Sequence, residues 1–517
     1  MGLTISSVYT EPGVYIKIQD VVIPAAPAGL LIPAVIGTGK KTITIVETVK
    51  KGVNNGQDIL LKTPVIDLVS IIDKNQTTYI KGVDYQLTSD KVDWSLGGAE
   101  PATGLDYYVT YTYLKGTSDY KPMLLSRLDD IITEFGPVDI ASELDYGTTS
   151  SATSSTLVDS TKAWVVNAYQ YMYVKITGGV GIGQERLIKS NTATALTIAP
   201  NWDTTPDVTS TYSITDISEN TLSIGASITL NNGASMVLCT QSIDDVYTQY
   251  KASLDGLKNQ TCYVVLIMKG LATGNPLIAD IKTHIDLMSQ PVERRNRISI
   301  LGAPLNTTSF GDYVTVASGL SDSRVGYLAP SNWGMIFGST EYIFDGSYGA
   351  AAIAGIITNP LYTSGEPISG KILSGFSSIT DNFTRTEKNQ MAAQGVMVVE
   401  NKNGLFKIRH ALSTDNSSAV TQEIKVTRIK DVLSDLIIRN LESAYINTRN
   451  VGNETLANIS ATISLLLQRT ILSKDIVAFQ NLGVVQNLVE PRQIDVSFQI
   501  KPVWDINWIL VQFGVSI

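Results

Sequence analysis

The sequence predicts a multidomain α+β fold, in which a discontinuous α/β core carries two inserted β-rich modules and extended N- and C-terminal strand arms. Strands alternate with amphipathic helices after residue 218, two β-rich blocks interrupt the chain before that point, and both ends carry strand-like apolar patterns. A length of 517 residues is typical of a chain with roughly two to four domains.

Composition and charge exclude several classes of protein. Apolar residues make up 44% of the chain and charged residues 17%, which is enough to bury sizeable cores. A formal net charge of -9 argues against a general nucleic-acid binder. The basic run at 293–297 is interpreted as a solvated helix end. The longest small-apolar run, 350–357, is far shorter than the ~20 residues of a membrane helix, so we expect a soluble protein without membrane insertion.

Residues 1–29 are predicted to form an N-terminal arm. A Glu-Pro-Gly turn at 11–13 precedes a strand of period two, and Pro24, Pro27 and Gly29 break any regular element after it. This strand has no local partner, so its backbone amides need a neighbouring sheet. The predicted strand-donor residues are Val14, Tyr15, Ile16 and Ile18.

The predicted α/β core combines residues 30–40, 117–145 and 218–345. Its first segment contains a buried strand at 30–37, and its second contains an amphipathic helix at 124–135 that stops at a Gly-Pro pair. The third segment alternates four strands with two helices. The strands are placed at 235–239, 262–268, 298–301 and 324–329, and the helices at 243–257 and 277–289.

Two β-rich blocks are predicted to be inserted into this core. Module 1 comprises residues 41–116, with strands at 42–46 and 107–113 rich in Thr, Ile and Tyr. Module 2 comprises residues 146–217 and is predicted to be barrel-like. It could be removed without disturbing the α/β pattern on either side, which favours an insertion.

Residues 346–505 are predicted to form a C-terminal α+β domain with two long amphipathic helices, at 426–445 and 454–472, and a strand at 494–500. Residues 506–517 then form a C-terminal strand arm. This strand is apolar on both faces and needs cover on both sides, which a chain end can hardly obtain from its own domain. Its residues are Ile506, Trp508, Ile509, Leu510, Val511 and Phe513.

The search for catalytic and metal-binding residues predicts none. The two histidines, His284 and His410, lie in different predicted elements, and an exposed or capped side chain is expected for each. Cys239 and Cys262 are interpreted as reduced core thiols. Two histidines and two cysteines leave no plausible zinc site and make a Ser-His-Asp triad improbable.

Two glycine-rich segments imitate nucleotide loops without matching one. The segment 178–183 joins two strands, and it is interpreted as a hairpin tip. The segment 37–42 has Gly-Lys after a strand, but its first glycine is two residues too close and a strand follows it. The acidic pairs at 129–130 and 244–245 are assigned to helix starts. We therefore expect no cofactor and no enzymatic activity.

The order of local patterns resembles the bacteriophage contractile tail sheath family. The patterns are Glu-Pro-Gly-Val-Tyr at 11–15, the strand at 30–37, Glu-Phe-Gly-Pro at 134–137, Asn-Asn-Gly at 231–233, Gln-Gly-Val at 394–396, the paired helices and the Trp-rich finish at 503–509. Each pattern alone is weak, but the shared order is fairly specific. The resemblance covers most of the chain apart from modules 1 and 2.

This resemblance implies a helical homo-oligomer of stacked hexameric rings around a tail tube protein. In that family, N- and C-terminal arms add strands to a small sheet of adjacent subunits, and a metastable extended sheath contracts to drive the tube through the host envelope. The implied partners are further copies, the tube, and the baseplate and tail terminator proteins. The implied location is the virion tail, after assembly in the bacterial cytoplasm.

A candidate tube-facing surface is the charged side of the helix at 426–445. It comprises Arg428, Lys430, Asp431, Asp435 and Arg439. An ordinary solvated helix face explains the same pattern equally well.

Two other classes stay open from the residues alone. A virion-surface or secreted β-rich adhesin or decoration protein is favoured by the β modules and the Tyr-rich strands. An α/β hydrolase-like enzyme on 218–330 is disfavoured, because no nucleophile elbow is present and histidine is scarce.

Overall fold

The computed structural model describes residues 31–505. The predicted arm strands therefore lie outside the described residues. They contain Val14, Tyr15, Ile16 and Ile18 at one end and Ile506, Trp508, Ile509, Leu510, Val511 and Phe513 at the other.

Module 1 enters and leaves the core through one antiparallel strand pair. The chain runs from β1 (Pro33–Thr38) into strands β2 (Thr42–Lys50), β3 (Gln57–Ile59), β4 (Val65–Asp73), β5 (Thr78–Tyr79), β6 (Gln86–Thr88), β7 (Lys91–Asp93) and β8 (Asp106–Leu114). β2 pairs with β8 along its whole length, and the N–H of Lys115 donates to the carbonyl of Lys41 at 2.8 Å. The entry and exit of module 1 are therefore adjacent.

Module 2 is a sheet whose two edges meet. After β9 (Met123–Leu125) and α1 (Leu128–Phe135), its strands are β10 (Glu143–Thr148), β11 (Ser151–Thr153), β12 (Thr156–Val158), β13 (Tyr173–Gly178), β14 (Glu185–Asn191), β15 (Ala195–Ala199) and β16 (Thr211–Thr215). The strand order is β10-β16-β13-β14-β15-β12-β11, so the two edge strands are consecutive in the chain and the sheet is rolled up. Antiparallel β13 and β14 flank the Gly-rich segment, as predicted for a hairpin tip.

The rest of the core alternates helices and strands. It comprises α2 (Thr221–Asn231), β17 (Val237–Ser242), α3 (Tyr247–Gly256), β18 (Val264–Ile267), α4 (Pro276–Met288), β19 (Ile298–Gly302), α5 (Phe310–Leu320), β20 (Val325–Ala329), β21 (Trp333–Phe337), β22 (Thr340–Phe344), α6 (Gly346–Ile357), β23 (Ile372–Leu373), β24 (Ser378–Ile379), α7 (Arg385–Ala393), β25 (Val396–Lys402) and β26 (Leu405–Ile408).

The final described segment contains α8 (Ala419–Gln422), α9 (Ile424–Tyr445), α10 (Asn453–Leu472), β27 (Ile476–Gln486) and β28 (Ile494–Pro502). α9, α10 and the β27–β28 hairpin share one apolar cluster, and we call these four elements the hairpin unit. None of the helices within residues 31–505 is both long and apolar enough to cross a bilayer.

The central sheet is doubly wound. Within residues 31–505 its order is β23-β26-β25-β20-β19-β18-β1-β17-β9, and β1 pairs in parallel with both β17 and β18. Alternate β1 side chains enter opposite layers: Val35 packs with α1, α2 and α6, whereas Ala34 and Ile36 pack with α3, α4, α5 and α7. All six residues of β1 are buried, as a central parallel strand requires.

Two predicted boundaries are wrong. The predicted helix at 124–135 begins only at Leu128, because residues 123–125 pair with β17 as an antiparallel edge strand. The core does not end at residue 345, because β25 pairs in parallel with β20 and brings α6, α7 and β26 into the central layers. The predicted domain at 346–505 is therefore divided between the core and the hairpin unit.

Replacing Gly302 with alanine tests the closest contact in the core. A Cβ on Gly302 would lie 2.0 Å from the backbone of Gly346 and Ser347 at the start of α6, so Gly302→Ala should lower the unfolding free energy by about 1–3 kcal/mol. A Cβ on Gly256, in α3, meets nothing within 4 Å, so Gly256→Ala is the matched control and should be neutral or stabilising. Equal urea midpoints for the two variants would contradict this packing.

Candidate assembly site

The crevice at the carboxyl edge of the central sheet is filled by the protein itself. Sheets with this strand order bind ligands beside the end of the first strand. Here the N–H of Thr38 donates to the Thr221 hydroxyl at 2.9 Å, and the backbone of Gly37 lies against the start of α2. Modules 1 and 2 both lie within the long connection between β1 and α2.

A buried cluster of four charges seals this edge and joins module 2 to the core. Lys41 bonds to the Asp244 carboxylate, and Arg186 of module 2 donates to the same carboxylate at 2.8 Å. The carboxylate of Glu185 accepts from the Ser218 hydroxyl at 2.6 Å and from the N–H of Glu219 at 3.2 Å. Two basic and two acidic side chains are thus enclosed together.

Burial and charge have opposite effects on the two carboxyl groups. Burial disfavours the charge of Asp244, but Lys41 and Arg186 outweigh it and lower the pKa of that carboxyl. Burial dominates at Glu185 and raises its pKa despite the nearby Lys41. The predicted helix-start role of Asp244 is wrong, because α3 begins at Tyr247 and Asp244 is an internal counter-ion.

A second buried polar cluster contains His284, which is 4% exposed. The prediction of an exposed or capped histidine is therefore wrong. Arg297 is fully buried, so the predicted solvated end at 293–297 is also wrong for this residue. Its guanidinium contacts the imidazole and donates to the carbonyls of Leu257 and Gln260 at 2.8 and 2.7 Å, beyond the end of α3. Burial is the main reason that the pKa of His284 is lowered to about 4, and the positive charge of Arg297 is the second.

The remaining candidates for chemistry are structural. His410 pairs with Glu423 at 2.6 Å beside the start of α9. Cys239 and Cys262 are buried and free, as predicted, and burial raises the pKa of both thiols. Across residues 31–505, no three His, Cys, Asp or Glu side chains are grouped as metal ligands.

The hairpin unit buries one face of its hairpin. Ile429, Leu433, Ile437 and Leu441 form a single stripe on α9, and they pack with α10 and with Ile476 and Ile500 of the hairpin. In the described part of the chain, β27 pairs with β28 alone, so the outer edge of each strand is bare. Several apolar side chains of this unit are exposed. They are Leu465, Leu472, Val477, Val485, Leu488 and Val489.

The structure separates the five residues of the candidate tube-facing surface. The carboxylate of Asp431 accepts one hydrogen bond from each terminal nitrogen of the Arg324 guanidinium, both at 2.8 Å. Arg428 donates to the carbonyl of Tyr362 at 3.0 Å. Both α9 side chains are buried, so the predicted charged face is wrong at Arg428 and Asp431. Asp435 and Arg439 form an i,i+4 ion pair at the surface, and Lys430 is half-buried.

Comparisons with known proteins point to one class of assembly. Residues 8–142 match DUF4815, a domain of unknown function. The chain is 22% identical over 306 residues to the tail sheath protein of Mycobacterium phage Bxz1, which covers 58% of this chain and 52% of that protein. The chain thus spans about half the length of this relative.

Solved structures of sheath proteins also match this chain. The helical sheath protein of the anti-feeding prophage, in its contracted state, matches 98% of this chain and 100% of that chain, with a TM-score of 0.51 and 10% identity. A sheath tail protein of Desulfitobacterium hafniense also matches, over 95% of this chain and 100% of that chain, with a TM-score of 0.41 and 10% identity.

The fold is therefore that of a contractile-sheath protein, and the predicted multidomain α+β class is confirmed. The resemblance to phage tail sheath proteins predicted from the sequence is also confirmed, through the Mycobacterium phage Bxz1 relative.

Substitution of Asp244 tests the buried charge cluster. Asp244→Asn removes the buried counter-charge that Lys41 and Arg186 share, leaving Arg186 only the exposed Asp203, and should cost about 3–5 kcal/mol of unfolding free energy. The neighbouring Asp245 pairs with Lys269 where both side chains are partly exposed, so Asp245→Asn should cost less than about 1 kcal/mol. Chemical denaturation of both variants measures the difference, and similar costs would contradict a sealed cluster.

Acid should weaken the fold through His284. Its pKa is about 4 in the folded chain and ordinarily 6.5, so the unfolded chain binds the proton first as pH falls. The stability that depends on neutral imidazole is complete above pH 6.5 and is lost between pH 6.5 and about 4, by about 3 kcal/mol. His284→Gln should flatten this part of the curve of unfolding free energy against pH. An unchanged slope would show that another group titrates there.

Proposed function

We propose that this chain is a tail sheath subunit. It polymerises around an inner tail tube in a metastable extended state, and it contracts to drive the tube through the host envelope during genome delivery. The sheath-protein fold and the phage tail sheath relative support this proposal over the adhesin alternative.

The observation that carries the proposal is the bare edge on each side of the β27–β28 hairpin. A hairpin of two strands is marginally stable by itself, and unpaired backbone groups at a strand edge attract further strands. The two arms are predicted, from the sequence alone, to be strands that need a partner outside their own molecule. We propose that arms of neighbouring copies pair with this hairpin, so that each subunit is joined to others through the main chain.

Contraction in this proposal needs no fuel molecule. Free energy is stored when subunits assemble in the extended arrangement, and a kinetic barrier holds it until the sheath is triggered. Subunits then move as rigid bodies while the arms keep them connected. The sealed crevice at the end of β1 supports a mechanical role rather than an enzymatic one.

The proposed partners are further copies of this chain in stacked hexameric rings, a tail tube protein, and baseplate and tail terminator proteins. Arg439, which is exposed on α9, and its partly exposed partner Asp435 keep their place in the proposed tube contact, whereas Lys430 lies on another side of the helix. The proposed location is the sheath of a virion tail, assembled in the host bacterial cytoplasm.

Interrupting an arm strand tests the proposal. Ile16→Pro removes a backbone donor and fixes the dihedral angle within the predicted N-terminal strand, so the purified chain should stay monomeric. Ile16→Val keeps the strand pattern and is the matched control, which should polymerise like the parent. Removal of residues 506–517 should also block polymerisation. Negative-stain microscopy and sedimentation measure tube formation.

Normal striated tubes from both the proline variant and the shortened chain would refute strand exchange as the basis of assembly. Compact trimers from the parent chain would instead select the adhesin, and isolated globular monomers would refute the sheath proposal.

A further inference from the structure

The two ends of the described chain are both tied to α9. At the amino end, the carbonyl of Ile32 accepts from the N–H of Tyr263 at 2.7 Å, and the Tyr263 hydroxyl donates to Asp431 at 3.1 Å. At the carboxyl end, Asp505 forms an ion pair with Lys425. Lys425 and Asp431 are six residues apart on the same helix, which corresponds to about 9 Å along its axis.

The pair between Lys425 and Asp505 is enclosed although it lies near the end of the described chain. The two side chains are 1% and 7% exposed, whereas the adjacent Trp504 is 40% exposed. Lys425 lies in the first turn of α9, where the helix dipole disfavours a cation and favours an anion. Asp505 supplies a negative charge there, in addition to the N-cap residue Glu423, and balances the buried cation.

The attachment at the amino end is equally specific. Asp431 is 3% exposed and accepts two parallel hydrogen bonds from Arg324 besides the one from Tyr263. This arrangement raises the pKa of Arg324, because Asp431 outweighs the burial that opposes its charge. Tyr263 is 4% exposed and pairs directly with the residue before β1. A buried, fully paired charge fixes a position more than it adds net stability.

We propose that the amino-terminal half of α9 is a common anchor that fixes where both arms leave the body of the subunit. Lys425 and Asp431 are its positioning residues, one for each arm. An arm that starts from a fixed point has less conformational freedom to lose when it pairs with a neighbour. The same helix contributes its apolar stripe to the hairpin unit, so the points of departure and the proposed acceptor move together. This inference rests on the proposed strand exchange.

The experiment releases the carboxyl end without altering the arm. In Lys425→Met the carboxylate of Asp505 has no partner and should turn to solvent. Amide hydrogen exchange should then rise at 503–505 in the monomer, while the core melts at the parent temperature. The critical concentration for polymerisation should rise about tenfold, because each residue freed at the root must be ordered again on assembly.

Matched variants distinguish loss of the anchored chain end from the mere loss of an ion pair. Asp255→Asn removes a surface ion pair with Lys258 at the end of α3, outside every proposed contact, and should leave polymerisation unchanged. Exchange of the pair, with Lys425→Asp and Asp505→Lys together, should restore part of the parent behaviour. Asp505→Asn is the alternative if Lys425→Met does not fold, and it should raise the critical concentration likewise. For the other arm, Tyr263→Phe should increase amide exchange at Leu31 and Ile32.

Parent-like exchange at 503–505 and a parent-like critical concentration in both Lys425→Met and Asp505→Asn would overturn the anchor. The chain lacking 506–517 distinguishes this failure from failure of the proposed function. If that chain does not polymerise while Lys425→Met behaves like the parent, strand exchange stands and the anchor falls. If the shortened chain polymerises normally, both fall.

Discussion

The fold depends on the contact between Thr38, at the end of β1, and Thr221, at the start of α2. These residues are 183 positions apart, yet their hydrogen bond closes an ordinary strand-to-helix connection of a doubly wound sheet. Both β modules, which lie between these residues in the chain, are therefore placed at the carboxyl edge of that sheet. The amino end of β1 lies at the opposite edge, beside α9. One strand thus separates the region of the modules from the region where the chain enters the core.

Buried charge determines how the parts are held together. Module 2 meets the core through Lys41, Glu185, Arg186 and Asp244, and the hairpin unit meets it through Asp431 and Arg324. Enclosed ion pairs have a single arrangement and a steep penalty for leaving it. Such joints suit a subunit that must transmit displacement without changing its own shape.

The sequence predicted an element correctly where the pattern of apolar residues within that element was sufficient to define it. The helices predicted from 426 and 454 begin at Ile424 and Asn453, and both end where predicted, because each has one apolar stripe. α2 and α6 were missed, since helices buried all round have no periodic contrast. The burial of Asp431 could not be predicted, because its partner Arg324 is 107 positions away. The burial of His284 and Arg297 could not be predicted either, because the residues that enclose them come from other elements. The bare hairpin edges became visible only when β27, absent from the predicted elements, was found beside β28.

The paired ends of each module make them exchangeable units. Module 1 begins and ends on neighbouring strands, and so does module 2, where β10 pairs with β16. In-frame recombination at these strand pairs would replace a whole folded module and leave the connectivity of the central sheet intact. For module 2 the exchange carries a condition, since the incoming module must supply a guanidinium to Asp244 and a carboxyl group to Ser218. Among related genes, residues at these four positions are therefore expected to be inherited as a set.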